Sequence, residues 1–287
     1  MSKTSSLLCA LLCTFIWGTT FIAQDTGMDG IGPFTFNAVR FFIGFLAIIP
    51  LVFLFELKKF KSEFKLDFKA FVILSFLIGI SLFLGSALQQ VALLFTDVAN
   101  AAFFTIFYVP MVPIIIFLFK KKSIHWSVWP SVVLCLVGGY LLTNFQDATV
   151  RLGDNLVILG ALFWSTHIIF TGIIVKKYDL PLTIGAIQTL IVALFSFIIA
   201  SIYEEFIFEN ILKEIDSILY AGILSGGFAF VLQIYAQKNI TPAPAAIIFS
   251  LEGVFATVAA WFLLNQILGI NNLLGCFFIL CGVLLSQ

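Results

Sequence analysis

The sequence predicts an all-α polytopic membrane protein, with ten transmembrane helices arranged as two inverted five-helix repeats. Three observations predict it. Of 287 residues, 61% are hydrophobic and 10% charged, at a mean hydropathy of +1.14; a water-soluble domain cannot hide that much apolar surface. Ten apolar runs succeed one another, separated by short polar gaps. The second half of the chain repeats landmarks of the first in the same order.

The apolar runs cover residues 5–24, 33–55, 70–94, 97–119, 127–145, 154–175, 181–203, 217–237, 241–264 and 267–285. Each is long enough to cross the roughly 30 Å hydrocarbon core as a helix. A helix also satisfies its own backbone hydrogen bonds, which lipid cannot do. The opening stretch MSKTSSLLCALLCTFIWG is followed by no small-x-small cleavage site, so it reads as the first span rather than a signal peptide. The longest polar gaps are about fifteen residues and leave no room for a soluble domain. The abundant phenylalanines, 35 in all, read as lipid-facing bulk. Five cysteines, Cys9, Cys13, Cys135, Cys276 and Cys281, lie inside apolar runs. Their number is odd and no CxxC occurs, so neither a disulfide framework nor a zinc site is expected, and no cofactor is.

Basic residues set the orientation. One set of loops, with the N-terminal tail, holds twelve lysines: Lys3, Lys58, Lys59, Lys61, Lys65, Lys69, Lys120, Lys121, Lys122, Lys176, Lys177 and Lys238. The opposite set holds only Arg151 and Lys213. Both termini are therefore expected in the cytoplasm, with the chain threaded through the inner (cytoplasmic) membrane.

The internal repeat rests on four anchors. PFTFNAVR at Pro33–Arg40 matches PLTIGAIQ at Pro181–Gln188, and Trp17 in IWGTT matches Trp164 in FWSTH. Gln90 pairs with Gln233, and GYLL at Gly139–Leu142 with GVLL at Gly282–Leu285. The repeats are read as residues 1–146 and 147–287. Five spans per repeat is an odd number, so the second copy enters the membrane upside down. Inverted repeats characterise secondary transporters, whose site lies near the midplane between the halves.

IWGTTF near the start, IGPFTFNAVRF in span two, GDNLVILGALFWSTHIIF in span six and AAIIFSLEGVFATVAAWFLLNQ in span nine resemble the EamA-like permeases of the drug/metabolite transporter superfamily. The resemblance runs over essentially the whole chain. It implies a ten-helix transporter with a central cavity between the halves, the fifth and tenth helices lying off that cavity. The family moves amino acids, sugars, nucleosides and other metabolites, so the resemblance names no substrate. Similar proteins often end span nine with Gly-Glu, where this chain has Asn265-Gln266; a carboxylate role at that edge is not carried over.

Glu252 dominates the candidate site. It lies nine residues after Ala243, roughly 13 Å deep at about 1.5 Å rise per residue, where a carboxylate costs about 2.5–3.5 kcal/mol on insertion scales. It reads as a substrate contact or protonation site, against the alternative of a structural carboxyl bonded to a neighbouring helix. His167, nine residues before Lys176, reaches a similar depth and is expected either to meet Glu252 or to bond a backbone carbonyl. Arg40, seven residues after Pro33, either snorkels, pairs with a carboxylate or holds an anionic substrate; its repeat partner Gln188 favours a structural position. Asp97 reads as a helix cap.

Gln90 and Gln233, with Gln89 and Gln237 nearby, either bond a polar ligand or join helices. Trp17, Trp164, Tyr108 and Tyr235 line the cavity or pack; with a carboxylate beside them the aromatic groups would suit an organic cation. Pro110 and Pro113 interrupt span four, and interrupted helices in matching places point to a transport site. Pro242 and Pro244 read as helix initiators.

Three classes of function compete. The first is a secondary transporter moving a small polar metabolite, such as an amino acid, by alternating access, with a proton or counter-substrate as coupling partner. The second is an intramembrane enzyme, against which stand the absence from the sequence of HExxH, of GxSxG and of paired catalytic aspartates in facing spans. The third is a non-transporting scaffold or sensor. No ATP-binding motif occurs, so uphill transport would need an ion gradient or exchange. The expected partners are the bilayer and a small molecule, with no nucleic acid, on a monomer or weak homodimer.

Overall fold

The structure, a computed structural model, describes residues 1–121, 123–143, 151–263 and 267–286. Helices are the only regular elements among the described residues. Eight are long and apolar enough to cross a membrane: α1 (Lys3–Thr26), α2 (Pro33–Phe55), α3 (Asp67–Ala92), α4 (Val98–Phe119), then α6 (Leu152–Lys177), α7 (Pro181–Tyr203), α8 (Ile215–Gln237) and α9 (Pro242–Leu263). Two shorter apolar helices complete the set, α5 (Val128–Leu142) and α10 (Ile270–Leu285). At 15 and 16 residues they fall below the roughly 20 residues that a full crossing takes. Each helix lies within a few residues of its predicted run. Lys122, the repeat boundary at 146–147 and the Asn265-Gln266 edge lie outside the described residues.

The starts of α2 and α7 are built alike. Pro33 and Pro181 each open their helix, where the missing N–H would have had no intrahelical partner anyway. The next free N–H groups go to a carboxylate from the other helix. Glu204, just past α7, accepts from Phe34 N at 2.9 Å, Thr35 N at 2.7 Å and Thr35 Oγ1 at 2.7 Å. Glu56, just past α2, accepts from Leu182 N at 2.9 Å, Thr183 N at 2.8 Å and Thr183 Oγ1 at 2.7 Å. Each end of one helix thus meets the opposite end of the other, so α2 and α7 run antiparallel and are clasped at both ends.

α4 and α9 are interrupted at matching points. α4 stops at Thr105 and restarts at Tyr108. Pro110 has no N–H to give the Ile106 carbonyl, which receives Val109 N at 2.8 Å instead. α9 breaks at Ser250, between Phe249 and Leu251. Pro242 opens α9 and Pro244 follows in its first turn, as the reading of both as helix initiators expects.

α8 is π-helical from Tyr220 to Ala229, a form that recurs at functional sites. Here it runs against α2 with almost no side chain between: a Cβ on Gly44 would lie 2.9 Å from backbone atoms of Gly222, Gly226 and Gly227. Other close pairs are α3 with both α6 and α7, α4 with α6, α5 with α10, and α1 with both α8 and α9.

One end of the bundle carries lysines held by acids. Lys59 and Lys238 both bond Asp179, Lys59 at 2.8 Å, and Lys177 bonds Asp67 at 3.1 Å. The bonds from Lys238 and Lys59 hold the Asp179 carboxyl below its ordinary range and Asp179 holds the Lys59 ammonium above its own. At the opposite end Arg151 Nη1 donates to Asp97 at 2.6 Å. That pairing corrects the reading of Asp97 as a cap: it precedes α4 but its side chain caps nothing, because Arg151 has drawn it away.

Candidate functional site

A cavity opens in the middle of the bundle, about 560 Å³ of empty space with its mouth included. α1, α2, α3 and α4 line one part of it, and α6, α8 and α9 the other; α5 and α10 contribute nothing among the described residues. Those two pack on each other instead, Gly138 so close to Gly275 that an added Cβ would lie 2.6 Å from the Gly275 carbonyl. Gln24, Arg40, Gln89 and Thr105 stand on the half of their helices away from the lysines, so the cavity extends from the centre towards that end. The lysine end is tight. Gln237 Nε2 donates to Ile168 O at 2.8 Å, and a Cβ on Gly172 would lie 2.6 Å from Pro242. Asn239 Nδ2 also ties α8 to the amino terminus through Ser6 Oγ at 2.9 Å.

Six of the nine residues singled out in the sequence line this cavity: Glu252, Arg40, Trp17, Trp164, Tyr108 and Gln233. The breaks in α4 and α9 explain two of them. They turn Tyr108 and Glu252 inward, and the Tyr108 hydroxyl donates to Glu252 Oε1 at 3.1 Å. α1 can approach the second break because residue 18 is glycine: a Cβ there would lie 2.6 Å from the Glu252 carbonyl. Ser165, which follows Trp164 as Gly18 follows Trp17, points its hydroxyl at the Tyr108 carbonyl, 3.5 Å away. Arg40 is 3% exposed. Its Nε donates to Asn37 Oδ1 at 2.8 Å, and its guanidinium lies against Phe36 and Phe41, 5.3 and 4.8 Å from their ring centroids.

Three predicted residues sit elsewhere. His167 does not meet Glu252. Its Nε2 lies 2.9 Å from Gln188 Oε1 and its Nδ1 3.5 Å from Gln233 Nε2, an arrangement that assigns the proton to Nε2. It stands behind the cavity wall, edge-on to Trp164 and Phe230, with amide partners rather than the backbone carbonyl that was the alternative. Gln90 is buried beside the cavity, where its Nε2 donates to Gln24 O at 2.9 Å. Tyr235 lies at the lysine end, its ring centroid 5.1 Å from Lys238 Nζ.

Other lining residues went unnoticed in the sequence. Phe230 stacks on Trp164 at 6.2 Å with the planes 4° apart, and Phe249 packs on Trp17 at 5.6 Å. Nothing marks these two among the many phenylalanines. Gln24, Thr105 and Ser225 also line the cavity; their one signal was a polar group inside an apolar run. Gln89, noted only as a neighbour of Gln90, is the one that faces inward and donates to Thr105 Oγ1 at 2.9 Å.

The sequence profile of the EamA-like transporter family matches residues 4–144 and 151–286. The chain belongs to the EamA-like transporter family. Its relatives agree with that membership. An uncharacterized transporter from Archaeoglobus fulgidus is 31% identical over 96% of this chain and 83% of its own. The uncharacterized transporter YoaV of Bacillus subtilis is 26% identical over 95% and 93%. Protein WALLS ARE THIN 1 of Arabidopsis thaliana is 26% identical over 71% of this chain and 49% of its own. A solved crystal structure superimposes with a TM-score of 0.82 over 100% of this chain and 97% of that one; at 16% identity it speaks for the fold alone. This EamA-like protein is thus a multi-pass membrane protein of a transporter family, with a central cavity bounded by both halves of its sequence.

Proposed function

We propose that this EamA-like protein is a secondary transporter that moves a small polar metabolite across the cytoplasmic membrane by alternating access. Amino acids and related compounds are the first class to test. The observation that carries the reading is the cavity itself. Ionisable and amide groups, Arg40, Glu252, Gln89 and Gln233, gather in it, all on apolar helices long enough to span lipid, where such groups are costly. A static membrane scaffold has no use for that expense, and a passing polar solute does.

Ten spans in two inverted repeats, residues 1–146 and 147–287, complete the proposal. The packing supports them. Exchanging each helix of α1–α5 for its counterpart in α6–α10 turns the α3–α6 contact into α8–α1, and the α2–α8 contact into α7–α3. It also returns α2–α7 and α5–α10 to themselves, and carries the Glu56 clasp onto the Glu204 clasp. Such exchange is the geometry from which alternating access follows. Closure at the lysine end, with the cavity extending away from it, supports reading the structure as one state of that cycle. The lysine bias supports putting that closed end and both termini on the cytoplasmic side.

Glu252 is the group through which a proton or a counter-substrate would couple. Uptake into proteoliposomes across a pH series, wild type beside Glu252→Gln, tests this. The variant keeps the shape and the bond from Tyr108 but cannot titrate, so its uptake should lose the pH dependence of the wild type. Equal rates with equal pH dependence would return Glu252 to a structural role.

A further inference from the structure

The stripe of α1 that faces the cavity has a match on α6 that runs on past the cavity floor. Trp17, Phe21 and Gln24 line the cavity, and spacings of four and three residues put them on one face of a helix. The match of Trp17 with Trp164 carries them onto Trp164, Ile168 and Thr171. Trp164 and Ile168 line the cavity too. Thr171, one turn further towards the lysine end, is sealed at 0% exposure. Next to it a Cβ on Gly172 would lie 2.6 Å from Pro242, and Gln237 Nε2 closes on Ile168 O at 2.8 Å.

α2 and α7 show the same relation. Arg40 lines the cavity, whereas Gln188, its match in the second repeat, is buried at 1% exposure. Each is held at one end by a buried neighbour. Arg40 Nε donates to Asn37 Oδ1 at 2.8 Å, and Gln188 Oε1 accepts from His167 Nε2 at 2.9 Å. Each keeps donors to spare. Among the described residues, neither Nη nitrogen of Arg40 has a hydrogen-bond partner, and neither does Nε2 of Gln188 or Oγ1 of Thr171. Thr171 lies six residues before Lys177 and Gln188 seven after Pro181, so both sit roughly 10 Å in from the lysine end at about 1.5 Å rise per residue. Buried polar groups without partners are costly and few; here two share one sealed level.

We propose that Thr171 and Gln188 line a second half-cavity, which opens at the lysine end when the present one closes, and that an accepting group of the solute passes there from Arg40 to Gln188. This rests on the transport reading and gives it the contacts of the opposite state. The ligand is a polar solute with a carbonyl, carboxyl or hydroxyl acceptor. It meets a guanidinium in one half-cavity and an uncharged amide in the other, so the two differ in charge where the repeat otherwise matches. Opening parts Gly172 from Pro242 and breaks the bond from Gln237 to Ile168.

The test is thiol labelling of the full-length chain in sealed membrane vesicles, in a cysteine-free background, with an impermeant maleimide applied to one face at a time. Lys59→Cys and Arg151→Cys identify the two faces, whichever way the protein sits. Ser196→Cys is the buried control: Ser196 is 0% exposed and its hydroxyl is also unpartnered, but its repeat match, Ile48, packs in the core. We expect Thr171→Cys and Gln188→Cys to react at least tenfold faster than Ser196→Cys from the face that labels Lys59→Cys. Gln24→Cys should react from the face that labels Arg151→Cys. If Gln188→Cys does not fold, Thr171→Cys, a nearly isosteric change, decides alone. Counterflow of a broad labelled metabolite mixture in the same background reports transport. Thr171→Cys no faster than the control, or labelled from the Arg151 face instead, overturns the proposal, and with counterflow present it leaves the transport reading intact. No counterflow of any metabolite removes both.

Discussion

The Tyr108 hydroxyl donates to the Glu252 carboxylate at 3.1 Å, and each residue stands just past the break in its own helix, 144 positions apart in the chain. The two interrupted helices therefore meet at their breaks. An unbroken helix presents side chains only sideways, whereas a break frees backbone carbonyls and lets the chain change direction. That is how a carboxylate on an otherwise apolar helix comes to face a cavity rather than lipid.

Removing the phenol oxygen isolates that bond. Tyr108→Phe leaves the ring in place and takes away the one hydrogen bond that Glu252 receives among the described residues. A buried acceptor left unsatisfied costs about 1–3 kcal/mol. The melting temperature in detergent should fall by several degrees, with the helical content of the circular dichroism spectrum unchanged. An unshifted transition would mean that water or a rotated Glu252 replaces the hydroxyl without loss.

Gly18 is required by close approach. A Cβ there would lie 2.6 Å from the Glu252 carbonyl, 2.7 Å from the Phe255 Cβ and 2.8 Å from the Ala256 nitrogen. Two of these are backbone atoms, which cannot swing aside, so α1 would have to move off α9. Gly18→Ala should destabilise the protein by about 1–3 kcal/mol, the usual range for overpacking, and Gly18→Leu should prevent accumulation of folded protein. A melting temperature for Gly18→Ala at or above the wild-type value would contradict the packing.

Glu56 and Glu204 do the same work at opposite ends of the α2–α7 pair, each accepting three hydrogen bonds from the first turn of the other's helix. Loss of a helix cap costs about 0.5–2 kcal/mol. Glu56→Ala and Glu204→Ala should each lower stability by that amount. Sites so far apart are expected to add within about 0.5 kcal/mol, so the double variant should lose the sum. Strong non-additivity in the denaturation midpoints would show that the clasps act as one switch rather than as two independent fastenings.

The proposed orientation has its own check. In a cysteine-free background, cysteine placed at Lys59 should resist an impermeant thiol reagent in intact cells. Cysteine at Asp29 or Arg151 should react. The reverse pattern would turn the protein over in the membrane.

Much of this protein was written into the order of its residues. Hydropathy and the cost of a polar group in lipid act locally, so the helices, their depth scale and Glu252, Arg40, Trp17, Trp164, Tyr108 and Gln233 as groups worth attention could be read directly. Rise per residue converts position into depth, and depth drew attention to both Glu252 and His167. What depth does not contain is azimuth. His167 lies at the expected level but turns to Gln188 and Gln233, and of the neighbours Gln89 and Gln90 it is Gln89 that faces the cavity. Only the packing of neighbouring helices decides which way a side chain points. Glu56 and Glu204 show the same limit from the other side. In the sequence they are two acids at the ends of apolar runs; they become helix caps only when α2 and α7 lie antiparallel. Phe230 and Phe249 carry no polar signal at all, and only the stacking of Phe230 on Trp164 and the edge-to-face contact of Phe249 with Trp17 set them apart from phenylalanines that face lipid. Composition and spacing act along one chain and are visible in it; contacts between helices depend on their mutual rotation, which no single stretch of sequence specifies.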